Sequence, residues 1–136
     1  MKPHIITLIC ATVILLSSCN IKEKYAKNSQ SAVAWLAENK GTPGTTISGS
    51  WAPGDPGWGI ARLEQHAGTV TGSIGSYEVD GTVHGTTAYL LMKDNGWIYY
   101  TAILQRSGKN FVGFYSEAVP FESDSQSPML LTPLTR

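Results

Sequence analysis

Hydrophobic and polar positions alternate through most of the chain beyond residue 46. The stretch Gly68–Gly85 shows this most plainly, because it carries one phrase twice: Gly68-Thr-Val-Thr-Gly72 and Gly81-Thr-Val-His-Gly85. Successive residues of a strand point to opposite faces, so Val70 and Ile74 share one face, as do Val79 and Val83. Thr69, Thr71 and Ser73, then Glu78, Asp80, Thr82 and His84, take the other. Two such runs joined at Gly75-Ser76 predict an antiparallel hairpin, and the glycines within them predict bulges or sharp coiling.

The same reading extends to both sides. Strands are predicted near Ile47–Ala52, Trp58–His66, Thr86–Lys93, Trp97–Gln105, Asn110–Glu117 and Met129–Thr135. Turn chemistry separates them at Pro53-Gly-Asp-Pro-Gly57, Ala67-Gly68, Asp94-Asn-Gly96 and Ser107-Gly-Lys109. About eight short strands with hairpin connections predict an all-β fold, an antiparallel up-and-down meander closed into a barrel so that no edge is left open. A two-sheet sandwich is the alternative. Ahead of the strands, Ser31–Glu38 reads as a short helix, capped by Ser29 or Ser31 and ended by Gly41. Ala32, Val33, Trp35 and Leu36 make most of one side apolar. A helix this short must dock, either across a barrel end or on a partner.

The 136 residues are enough for one domain, and ten basic side chains balance ten acidic ones. That balance removes the electrostatic footprint of nucleic-acid binding. Charge is unevenly placed, however. Between residues 20 and 45, Lys22, Lys24, Lys27 and Lys40 stand against Glu23 and Glu38, a net of +2. From residue 46 onward five cations face eight acids, a net of −3.

The first residues read as an address. Met1–His4 is a short positive segment, and Ile5–Leu16 is apolar but too short to span a membrane as a helix. Leu16-Ser17-Ser18-Cys19 follows and resembles the lipobox of bacterial lipoproteins. The resemblance implies a signal peptide over 1–18, cleavage before Cys19 and acylation of Cys19 with palmitate-type chains. It also implies membrane anchoring through that lipid, in the cell envelope. Asn20, a residue other than Asp, resembles an outer-membrane address on the periplasmic face. Residues 19–45 then form a lipidated tether with the short helix, and 46–136 the β-barrel domain. Cys10 leaves with the signal, so the mature domain has no thiol for a disulfide, a metal or a nucleophile.

Gly49-Ser50-Trp51 opens the first strand and resembles the G-x-W of the calycin group, the lipocalin- and avidin-like barrels. The resemblance implies that Trp51 packs at a closed barrel end under a cation from the last strand, where Arg136 stands. It brings no ligand residues with it.

Catalytic patterns are few. Glu78 and Asp80 share a strand face about 7 Å apart, a spacing two catalytic carboxylates use, but any alternating acidic strand produces it. His66 and His84 fall in no ligand motif, and the chain lacks G-x-S-x-G, S-x-x-K and a phosphate loop. The expectation is a non-enzyme without metal or cofactor.

The predicted strands five to seven are apolar on both faces, which requires cover on both sides. Ala88, Leu90 and Met92 oppose Tyr89 and Leu91. Trp97, Tyr99 and Ile103 oppose Ile98, Tyr100, Ala102 and Leu104, and Phe111, Phe114 and Tyr115 continue the pattern. The short helix can cover the outer face; otherwise the aromatics meet a partner or line the interior for a small apolar ligand. The long loop Ala118–Pro128 adds Pro120 and Phe121 beside Glu122 and Asp124. The expected function is thus a non-catalytic envelope lipoprotein that binds a protein or envelope component through an aromatic face or this loop. The expected binding residues are Trp97, Tyr99, Tyr100, Phe114, Tyr115 and Phe121. The alternative is a lipocalin-like carrier with a small apolar ligand inside the barrel.

Overall fold

The structure, a computed structural model, describes residues 29–134. The signal peptide, Cys19, most of the stalk and Arg136 lie outside the described residues. One helix, α1, spans 29–38, beginning two residues ahead of the predicted start. Eight strands follow: β1 Gly49–Pro53, β2 Ala61–His66, β3 Thr69–Ile74, β4 Tyr77–His84, β5 Thr87–Asp94, β6 Trp97–Ser107, β7 Asn110–Ser116 and β8 Gln126–Pro133. Each pairs antiparallel with the next, and β8 closes on β1 through Trp51↔Pro133 to Pro53↔Leu131, so the sheet is a closed up-and-down barrel. We call the end where β1 begins and β8 finishes the lower end, and the opposite end the upper.

The predicted hairpin is β3–β4. Its register runs without a break, with Val70 opposite Gly81 and Gly72 opposite Val79. Val70 and Val79 thus each face a glycine, and the hairpin runs without a bulge. A side chain at Gly81 would meet the Tyr89 carbonyl and Leu90 of β5. The register shift falls elsewhere, between Met92 and Lys93: Met92 pairs with Tyr100 while Lys93 pairs with Ile98. Tyr99 is the extra residue, and Ile98 joins the outward set beside Lys93. The strict alternation expected for β6 therefore fails at Ile98, because an inserted residue reverses the facing of everything beyond it.

Inward side chains fill the barrel. Val70, Ile74, Val79, Leu90, Leu104 and Phe111 are fully buried, and Trp51, Leu63, Met92 and Leu131 belong to the same cluster. Each such residue contributes about 1.5–3 kcal/mol by leaving water. Trp51 packs at the lower end, edge-on to Phe111 at 5.4 Å, with its indole N–H donating to the Ile47 carbonyl at 2.9 Å.

The segment between α1 and β1 straps this lower end. Gly44 donates to the Gly85 carbonyl and Gly85 to that of Thr42, and Pro43 bridges Gly85 in parallel. Gln65 holds the strap from inside the sheet: its Oε1 accepts from the Ile47 N–H at 2.9 Å, and its Nε2 donates to the Thr45 carbonyl at 3.0 Å. Residues 42–45, assigned to the tether from the sequence, are thus part of the folded unit.

The helix lies on the outer face of the sheet rather than across an end. Trp35 meets Tyr89 of β5 edge-on at 5.7 Å, and Ala32 is fully buried. Thr82 and Leu91, both on the outward side, are buried with it, so the polar face that Thr82 shares with Glu78 and Asp80 is covered at this point. The cover reaches β5 and stops short of β7.

Candidate functional site

The two connections at the upper end shape the site. After β1 the chain makes one 3₁₀ turn, Pro56–Trp58, capped by the Asp55 carboxylate, which accepts from the Gly57 N–H at 2.9 Å. Proline at the first turn position suits this geometry. Trp58, expected within the second strand, belongs to this turn instead. The turn is held against the β3–β4 hairpin, where Gly75 donates to the Ile60 carbonyl at 2.9 Å. Gly75 has φ 58°, and any side chain there would run into the Trp58 carbonyl, so only glycine lets the two loops meet.

Trp58 consequently leans over the barrel mouth among three tyrosines. It stands edge-on to Tyr77 at 5.8 Å, Tyr100 at 5.1 Å and Tyr115 at 4.9 Å. Tyr100 in turn meets Tyr77 at 5.5 Å and Tyr115 at 5.7 Å, and all four rings rest on the core. Perpendicular arrangements set the positive edge of one ring on the negative face of the next. Burial pushes the Tyr100 hydroxyl above the usual tyrosine pKa, and its contact and hydrogen bond with Tyr77 and the nearby Glu117 push the same way.

The other connection is the long loop, and it is well tied. Thr101 donates to the Ala118 carbonyl at 2.9 Å, the Ala118 N–H donates to the Ser116 hydroxyl at 3.0 Å, and Ser116 bonds the Ser125 hydroxyl at 2.7 Å. Thr101 and Ser116 are cross-strand neighbours on the outer face and are both fully buried, so the loop folds down over them. β8 starts at Gln126, three residues before its predicted start, because these bonds fix the loop end against β7.

Below that loop the outer face of β7 and β8 is bare. Val112 pairs with Leu130 and Phe114 with Pro128, and these four side chains stand side by side on the outer surface. Val112 is 43% exposed, Phe114 41% and Leu130 37%. With Pro53 of β1 and Trp58 of the turn that follows it, they line an open groove of about 580 Å³, whose only charged lining residue is Asp55. Acidic side chains crowd this end of the molecule: Asp55, Glu78, Asp94, Glu117, Glu122 and Asp124 all sit in its connections or at adjoining strand ends. Lys93 of β5 is engaged by Asp80 at 2.5 Å and Glu78 at 3.9 Å.

The structure divides the aromatic residues expected to bind. Tyr100 and Tyr115 enter the mouth cluster. Trp97 and Tyr99 are exposed at the upper rim, Tyr99 touching Tyr77 at 6.2 Å. Phe114 alone faces the groove, and Phe121 is half-buried in the tied loop. Trp58 and Tyr77 were missed, although a signal existed: in a meander, β2 and β4 both start at the upper end, as does β6. Aromatics opening even-numbered strands therefore converge there.

Among the described residues, Arg106 of β6 sits over Trp51, its Cζ 5.9 Å from the Trp51 ring and 5.2 Å from that of Phe111, while Arg136 lies outside them. The carboxylates of Glu78 and Asp80 share Lys93. His66 lies 3.8 Å from Glu64 with both side chains in solvent, while Gly41 packs against the His84 ring. Among the described residues no three His, Cys, Asp or Glu side chains are grouped to hold a metal, and no helix is long and apolar enough to cross a membrane.

The fold and surface together define a filled, closed eight-stranded barrel with an aromatic mouth and an apolar outer groove. No family model matches the chain, nor does any curated protein or solved structure.

Proposed function

We propose that this protein is a non-catalytic, lipid-anchored module of the bacterial cell envelope that docks a protein or other envelope component on the outer face of β7 and β8. The observation that carries this reading is the contiguous exposure of Val112, Phe114 and Leu130 beside the groove. Apolar side chains exposed side by side along a groove, unlike ones scattered singly, suit an interaction site. The loop above them is pinned by Thr101 and Ser116, so the surface is held ready rather than ordered on contact. The interior is occupied by core side chains, which favours an outer working surface over a carrier cavity. Anchoring rests on the lipobox-like Leu16–Cys19: acyl chains at about 0.8 kcal/mol per buried CH₂ hold a protein on a membrane once more than one is present.

Two measurements test this. Cys19→Ser should abolish acyl labelling and release the protein from membranes; retention with labelling intact would remove the anchor from the reading. A photo-cross-linking residue at position 114 should capture a discrete envelope component in cells, and the same residue at position 71, on the outer face of β3, should not. Equal capture at both positions would show that the β7–β8 face is not the working surface.

A further inference from the structure

Resting on that reading, we propose the chemistry of the partner: an extended, positively charged protein segment that places apolar side chains in the β7–β8 groove and Lys or Arg against the acidic upper rim. A closed barrel offers no free strand edge, so a docked segment cannot join the sheet and must be held by its side chains. The groove supplies the apolar half of the site through Val112, Phe114, Pro128 and Leu130.

Charge selects the occupant. Asp55 lies in the groove wall, and Glu117, Glu122 and Asp124 belong to the loop that borders it. Lys93 already serves Asp80 and Glu78, Arg62 stands on the outer face of β2 opposite Ser50 and outside the groove lining, and Lys40, Arg106 and Lys109 belong to the lower end. The rim therefore attracts cations and accelerates their arrival. The same field argues against two other occupants. A second copy meeting this face by two-fold symmetry brings like-charged rims together, which costs binding. An anionic lipid surface is repelled in the same way.

The test uses the full chain in detergent and three short fluorescent peptides with one Leu-x-Phe core, flanked by lysines, serines or glutamates. The lysine-flanked peptide should bind at least about tenfold more tightly than the serine-flanked one at low salt, and the glutamate-flanked one more weakly still. Raising the salt should shrink that preference. Phe114→Ser and Leu130→Ser, checked for an unchanged thermal midpoint, should each weaken the lysine-flanked peptide by about tenfold or more. The combined Asp55→Asn, Glu122→Gln, Asp124→Asn variant should lose the charge preference and keep the dependence on Phe114. Equal affinity for the three peptides, or no binding of any, overturns the proposal. So does a lysine preference that persists in both groove variants, which would mean rim attraction alone. Sedimentation showing a dimer that Leu130→Ser dissociates assigns the groove to a second copy, and groove-dependent binding to anionic vesicles assigns it to lipid; either outcome also overturns it. If position 114 captures a discrete component in cells while the peptides show no charge preference, the docking face stands and only its partner chemistry falls.

Discussion

At the lower end of the barrel Trp51 is 4% exposed, its N–H satisfied by Ile47, its ring flanked by Phe111 and Arg106. At the upper end Trp58 is half-buried on a one-turn loop, touching three tyrosines that are themselves half-buried. Both are aromatic plugs of one barrel, yet only the lower is sealed. A strap of backbone covers it, and Gln65 satisfies the donors and acceptors the strap exposes. The upper end has loops that fold beside the mouth and acids that keep it wet. Such a division lets the lower end supply stability while the upper end and its flank present surface.

Substitution of the two tryptophans tests this division directly. Trp51→Ala should cost about 3–5 kcal/mol, since it removes a large buried ring and orphans the Ile47 carbonyl. Trp58→Ala should cost about 1–2 kcal/mol, the scale of a few aromatic edge contacts. Chemical denaturation measures both, and equal losses would mean the upper end is as structural as the lower.

Gln65→Ala should come next, at about 1–3 kcal/mol, because the buried Ile47 N–H loses its acceptor. Amide exchange at Ile47 should accelerate together with that of Gly44 and Gly85, which share the strap. Protection unchanged at those three sites would show the strap to be held without Gln65.

Arg106→Met keeps the apolar stem over Trp51 and Phe111 and removes the guanidinium, with its bonds to the Thr46 carbonyl at 3.1 Å and the Gly108 carbonyl at 2.7 Å. A loss of about 1 kcal/mol is expected, measured by the denaturation midpoint. An undiminished midpoint would leave cation–π contact no part in sealing the lower end.

The smallest effect concerns pH. Tyr100 keeps its proton in the folded chain to a higher pH than an unfolded tyrosine would. The unfolded state therefore ionises first, so the contribution is complete below the ordinary tyrosine pKa and is lost as pH rises through the folded value. Tyr100→Phe should flatten the alkaline decline of stability slightly. Glu117→Gln should move the tyrosinate absorbance titration toward lower pH. A titration that does not move would separate Glu117 from the mouth.

Strand identity was legible because the period is local: Val70, Ile74, Val79 and Val83 announce one face and hairpin chemistry announces the turns. Closure also followed from the number of strands and their short connections. Three features were not legible. One extra residue at Tyr99 moved Ile98 outward, and no propensity marks where a bulge falls. Trp58 looked like strand because its neighbours alternate, but Asp55 and Pro56 tighten the chain into a turn first. The cation over Trp51 in the described structure comes from Arg106, since closure of the barrel brings the inward face of β6 toward that of β1 across some 55 positions of sequence.

The sequence by itself determined the all-β class, the inward valines and leucines, the hairpin turns and the excess of aromatic residues, all of which depend on neighbours a few positions apart. Only the tertiary structure decided which aromatic surface remains bare. The helix covers Tyr89 and Leu91 and the tied loop covers Thr101 and Ser116, while Val112, Phe114 and Leu130 are left bare, as are Trp97 and Tyr99 at the upper rim. Cover is a contact between segments far apart in the chain, and burial depends on where each segment comes to lie.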